Sequence, residues 1–120
     1  MNVCTATRVD IDRFYPDITS SFRAWVVEID GEAVGIIGLA LTRPYACLFS
    51  TAEEPLKPFL KSMKILKLIK KVELLFKSRG IPVMAIAEPG LATAPKILKR
   101  LGFEEFGEIG DDDIYVWWGN

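Results

Sequence analysis

The chain has no histidine. That absence removes the commonest general base near neutral pH, the Ser-His and Cys-His nucleophile pairs, and most zinc sites. Its two cysteines, Cys4 and Cys47, are far apart and form no Cys-x-x-Cys pair. Cys47 lies in an apolar segment, where a thiol behaves as a small hydrophobe. The longest uninterrupted apolar run, Ala33 to Leu41, is far shorter than the about 20 residues that cross a bilayer, and the first residues lack the basic-then-apolar pattern of a signal peptide. No repeat or low-complexity segment is present. The expectation is a soluble, cytoplasmic protein without a membrane segment.

What the chain does contain is enough apolar material for one core. Half of its 120 residues are hydrophobic and 26% are charged, which fits a single domain over residues 1–120 and leaves no room for a second. Phe22 to Asp30 alternates, with Trp25, Val27 and Ile29 on one side and Ala24, Val26 and Glu28 on the other, which predicts a half-buried strand. Asp30-Gly31 is a two-residue hairpin signal, so Glu32 to Leu41 should return antiparallel and, being almost wholly apolar, sit centrally. Tyr45 to Thr51 reads as a third strand. The Glu53-Glu54-Pro55 and Pro58 region reads as a loop.

A long helix follows, with Ile65, Leu68, Ile69, Val72, Leu75 and Phe76 as its buried stripe and Gly80 as its stop. Val83 to Glu88 is apolar enough for a strand buried on both faces, as a parallel neighbour would be. A short helix over Ala92 to Leu101 accepts Pro95 only in its first turn. Gly102 caps it. Phe103 to Ile109 and the segment carrying Ile114, Val116 and Trp118 then form a closing hairpin.

This order, together with Ala94-Pro95-Lys96-Ile97-Leu98-Lys99-Arg100-Leu101-Gly102-Phe103, resembles the GNAT family of acyl-CoA-dependent N-acyltransferases over roughly residues 22 to 118. The resemblance implies an α/β (α+β) fold: a mixed, mostly antiparallel twisted sheet of about six to seven strands with one long and one short helix. It also implies acetyl-CoA, whose pantetheine arm would lie at Phe49, Ser50 and Thr51 and whose phosphates would lie near Lys61 and Lys64. Three features depart from the family pattern. Leu60, Met63 and Ile65 stand where its Arg/Gln-x-x-Gly-x-Gly/Ala motif offers bare amides to a pyrophosphate. Leu91 and Leu98 stand where it places an asparagine and the tyrosine acid. Asp10 to Ser21 has to hold the two amino-terminal helices that wall its acceptor site. Trimmed forms of this kind are similar to proteins encoded in bacteriophage genomes, some of them virion or host-interaction components.

Two candidate catalytic residues follow from that resemblance. Glu88, ending the buried strand, would be a general base acting through water, or else a helix-entry carboxylate answering the macrodipole. Tyr115 would replace the missing acid if its hydroxyl meets the cleft, or else packs with Trp117. The segment Lys57 to Arg79 carries eight basic residues and one acid, a formal charge of plus seven, against minus eight for the remainder. Lys64, Lys67, Lys70, Lys71 and Lys77 should form a continuous basic face: a solvated surface, or a contact for phosphates or for an acidic partner. The acidic stretch Glu104 to Asp113 in a neighbouring copy is one such partner. Without interleaved aromatics or a reading helix, sequence-specific nucleic-acid binding is not expected. Trp117 and Trp118, on opposite faces of one strand, should be one buried and one exposed, the exposed ring marking a contact surface. Two functions remain open: an acetyltransferase with a non-standard site, or a non-catalytic interaction protein on the same scaffold.

Overall fold

In the computed structural model, which describes residues 1–87, 95–110 and 112–119, the chain runs β1 (Asn2–Thr5), α1 (Arg8–Phe14), β2 (Phe22–Ile29), β3 (Glu32–Ala40), β4 (Ala46–Ala52), a 3-10 helix (Glu54–Phe59), α2 (Met63–Arg79), β5 (Val83–Ile86), α3 (Pro95–Arg100), β6 (Glu104–Ile109) and β7 (Asp112–Trp117). Among the described residues the strands form one seven-stranded sheet in the order β1-β2-β3-β4-β5-β7-β6. Only β4 against β5 is parallel. The mixed, mostly antiparallel sheet and the long and short helices are those the sequence implies.

Local chemistry accounts for the boundaries. Asp30 and Gly31 take φ values of 52° and 82°, the left-handed pair of a tight hairpin loop. On α2, the Ser62 hydroxyl accepts from the Ile65 N–H at 3.4 Å and Gly80 closes the helix in the left-handed region. Beyond α3, the Gly102 N–H donates to Lys99 O at 3.1 Å and the Phe103 N–H to Leu98 O at 2.9 Å. Those two bonds, with φ of 98° at Gly102, are a Schellman cap, and the buried Leu98 and Phe103 share one core cluster, the hydrophobic contact that often accompanies such a cap. The Leu-Gly-Phe sequence is therefore a helix stop with its hydrophobic clasp.

The sheet has helices on both faces. On one face α2 buries Ile65, Leu68, Val72 and Phe76 against Trp25, Val27, Ile37, Leu39 and Leu48, and α3 adds Leu98. On the other, Ile11 of α1 packs on Ala24, Val26, Ile36, Ala40 and Phe49. The expected half-buried β2 is thus corrected: Ala24 and Val26 face α1 and are as buried as the opposite side. β5 departs the other way. Only Val83 and Ala85 are buried, Met84 is half-buried and Ile86 is exposed, so β5 alternates as a half-buried strand does. The amino-terminal region is not a shortened pair of helices but the edge strand β1 plus α1, whose start is fixed by the Asp10 carboxylate accepting from the Thr7 N–H at 2.8 Å.

The basic face of α2 is not continuous either. Lys70 and Lys77 each donate to the Glu73 carboxylate at 2.9 Å, whereas Lys64, Lys67 and Lys71 turn towards β1. Burial pushes the Glu73 carboxyl up, but the hydrogen bonds and charges of Lys70 and Lys77 together outweigh it and hold the group below its ordinary value. A depressed carboxyl contributes stability above its unfolded pKa and loses it as pH falls through the folded one. Thermal melts of wild type and Glu73→Gln should therefore differ at neutral pH and converge as the solution is acidified below the ordinary value of 4.5. A gap that stays constant with pH would remove Glu73 from the acid limb.

Candidate functional site

β4 and β5 stay together for only three residue pairs, Ala46 with Val83, Cys47 with Met84 and Leu48 with Ala85. Past that point, among the described residues, β4 continues through Phe49–Ala52 paired only to β3 on its other side, while Ile86 of β5 pairs with Ile114. Among the described residues the sheet therefore opens between these two parallel neighbours, and Phe49, Ser50 and Thr51 line one lip of the opening. An edge of strand backbone beside a gap can bind an extended ligand as a further strand would be bound.

A residue the sequence did not point to reaches this lip. Tyr15, at the end of α1, packs on Phe49 with ring centroids 4.9 Å apart, and its hydroxyl donates to Ser50 O at 2.6 Å. The Thr51 hydroxyl lies 2.6 Å from the same phenol oxygen. Since a carbonyl only accepts and a phenol has one proton, Thr51 is the donor in that second bond. Tyr15 and Thr51 are 36 positions apart, so no spacing rule links them. The readable signal was the Thr7-to-Asp10 capping box, which starts the helix that delivers Tyr15.

The space between the sheet and the start of α2 is filled. Leu56, on the 3-10 helix, is 3% exposed, and it sits so close to β3 that a Cβ at Gly35 would overlap its Cδ2. Leu60 and Ile65 close the same space, leaving a cavity of about 30 Å³ between the sheet and the start of α2, room for little more than water. Met63 is 66% exposed and does not line that cavity.

The remaining expected site residues are dispersed. Lys61 is exposed in the turn before α2. Lys64 instead donates to Met1 O at 2.6 Å, beside β1. Tyr115 pairs with Ala85 at the last β4–β5 contact, but its side chain is buried in the core under α2, on the same face as Trp117. Leu98 is fully buried in the core cluster shared with α2. Glu88, with Leu91 and Ala94, lies outside the described residues. Cys47 is half-buried and burial pushes its thiol up, the wrong direction for a nucleophile. Trp117 is buried and Trp118 is 50% exposed, as strand alternation requires. Among the described residues no helix is long and apolar enough to cross a membrane, and none of the acidic or cysteine side chains cluster as a metal site.

No protein-family model and no curated protein matches the chain. Solved structures do. The ribosomal-protein-S18-alanine N-acetyltransferase of Escherichia coli superposes with a TM-score of 0.62 at 13% identity, over 96% of this chain and 90% of that one. A GNAT-family acetyltransferase from Staphylococcus aureus Mu50 gives 0.62 at 14% identity, over 96% of each chain. The PaiA N-acetyltransferase of Thermoplasma acidophilum, solved with coenzyme A, gives 0.56 at 17% identity, over 78% of this chain and 58% of that one. At such identities a likeness establishes architecture, and with the β4–β5 opening and the helices on both faces it does so here: the chain has the GNAT fold.

Proposed function

We propose that this chain is an acetyl-CoA-dependent N-acetyltransferase of non-standard design, in which side-chain charge replaces the glycine-rich phosphate loop. The observation that carries this reading is the open lip of β4, with the Tyr15 and Thr51 hydroxyls joined on it. The thioester of acetyl-CoA supplies the acetyl group; an amine nitrogen forms the new C–N bond as the C–S bond breaks, so the nitrogen loses a proton and the thiolate gains one. Tyr15 is the proton donor, its phenol oxygen supported by the Thr51 hydroxyl. Glu88, next in sequence after Ala87, is the base. Lys61 holds phosphate, since the filled space under Leu56 and Leu60 cannot.

That filled space favours a second reading, a GNAT scaffold without catalysis that serves as an interaction protein. Ligand linkage separates the two. On the transferase reading, acetyl-CoA at a hundredfold excess over its Kd stabilises the fold by about 2.7 kcal/mol, a rise of several degrees in Tm. Lys61→Glu should shrink that rise and Lys67→Glu should leave it unchanged. Thiol release from acetyl-CoA in the presence of a peptide beginning with alanine, or of a polyamine, then tests transfer. An unchanged Tm at millimolar acetyl-CoA would select the non-catalytic reading.

A further inference from the structure

The two edges of the sheet are complementary. β1 is one outer strand, and beside it runs a groove of about 560 Å³ lined by Lys64, Lys67, Lys71, Val3 and Leu68. The Ala6 N–H donates to Ala24 O at 2.9 Å and Cys4 stands opposite Val26, so Asn2, Cys4 and Ala6 turn their backbone groups towards β2. Val3 and Thr5 turn theirs outward. Lys64 marks that edge through its bond to Met1 O, and the Lys71 ammonium lies 5.7 Å from the centre of the Trp25 ring. A row of outward backbone groups beside three cations is a template for a strand that carries carboxylates.

The opposite edge of the same chain is such a strand. β6 carries Glu104, Glu105 and Glu108, all exposed. Glu105 stands opposite Tyr115 and Glu108 opposite Asp113, which places both on the face of Tyr115 and Trp117, the α2 face. On the other face Phe106, 65% exposed, meets Trp118 with ring centroids 5.6 Å apart.

Direction completes the match. Followed through the sheet, with β4 and β5 as its one parallel step, β1 and β6 run oppositely. A second copy shifted sideways in the plane of the sheet would bring its β6 against β1 antiparallel and keep α2 on the same side. Its Glu105 and Glu108 would then face Lys64, Lys67 and Lys71. We propose that β1 and the α2 lysines of one copy receive β6 of the next, extending the sheet from copy to copy. The net charge of the whole chain is only minus one, so copies repel one another little, while the opposed edges attract. The contact is heterologous, and the twist between neighbouring strands decides whether it closes into a ring or continues. It holds whether or not acetyl-CoA binds.

Sedimentation velocity tests this with two charge-reversed proteins, Lys64→Glu/Lys67→Glu/Lys71→Glu and Glu105→Lys/Glu108→Lys. All five side chains are exposed, and far-UV circular dichroism verifies each fold. Wild type should form species heavier than monomer as concentration rises, weakened by salt. Each variant alone should lose them, and mixing the two should restore them, because each then meets an edge of opposite sign. A wild type that stays monomeric at every concentration overturns the proposal, as does assembly that survives either reversal. Poly-glutamate bound by monomeric wild type and not by the lysine variant would assign the groove to a foreign acidic chain, and so overturn it too.

Discussion

Phe76→Ala should be the most damaging single truncation in the chain, lowering stability by about 3 to 5 kcal/mol and Tm by roughly 10 to 20 °C. Phe76 has no exposed surface, and its ring meets Phe103 edge-on at 5.4 Å and Trp117 at 5.2 Å. Phe103 comes from the segment after the Schellman cap and Trp117 from β7, so one ring joins the long helix to both halves of the closing region. Aromatic pairs in this geometry add to the area they bury. The cavity cannot collapse easily, because α2 is also fixed to the sheet through Leu68 and Val72. Phe76→Leu, which keeps most of the volume, should cost less than half as much. Denaturant titration of the two variants checks both values, and equal, small losses would mean that the rings repack around the hole.

The reason this core could be read from the sequence is that it depends on local periodicity. Ile65, Leu68, Val72 and Phe76 recur every three or four residues, and Leu101-Gly102-Phe103 sets a helix stop within three positions. Elements whose character depends on distant neighbours were harder to read. β2 alternates as if one side met water, yet Ala24 and Val26 are covered by α1, some ten residues upstream. β1 is four residues long, too short to show a pattern. The lysines of α2 share one helical face in a wheel projection, but the separation of Lys70 and Lys77 from Lys64, Lys67 and Lys71 depends on where Glu73 and β1 lie. At the candidate site the same division holds. The bulk of Leu60 and Ile65 was legible because it follows from side-chain size. The closing role of Leu56 depends on Gly35 of β3 lying beneath it, and the delivery of Tyr15 to Ser50 and Thr51 depends on the whole α1 layer.

Tyr15→Phe should separate catalysis from binding more sharply than any other change at the β4 lip. Phe retains the ring that packs on Phe49, so α1 should remain in place. What disappears is the donor to Ser50 O and the acceptor for the Thr51 hydroxyl, a loss of about 1 to 3 kcal/mol in stability. On the transferase reading the departing thiolate also loses its proton source, and turnover should fall by about 10²- to 10⁴-fold while the Tm rise with acetyl-CoA persists. Thr51→Ala should cost less, because Tyr15 keeps both its proton and its bond to Ser50 O. The split between turnover and ligand-induced stabilisation is the informative readout. Turnover and the acetyl-CoA shift lost together would make Tyr15 a positioning residue that shapes the edge of β4, and thiol release at the wild-type rate would remove it from the chemistry altogether.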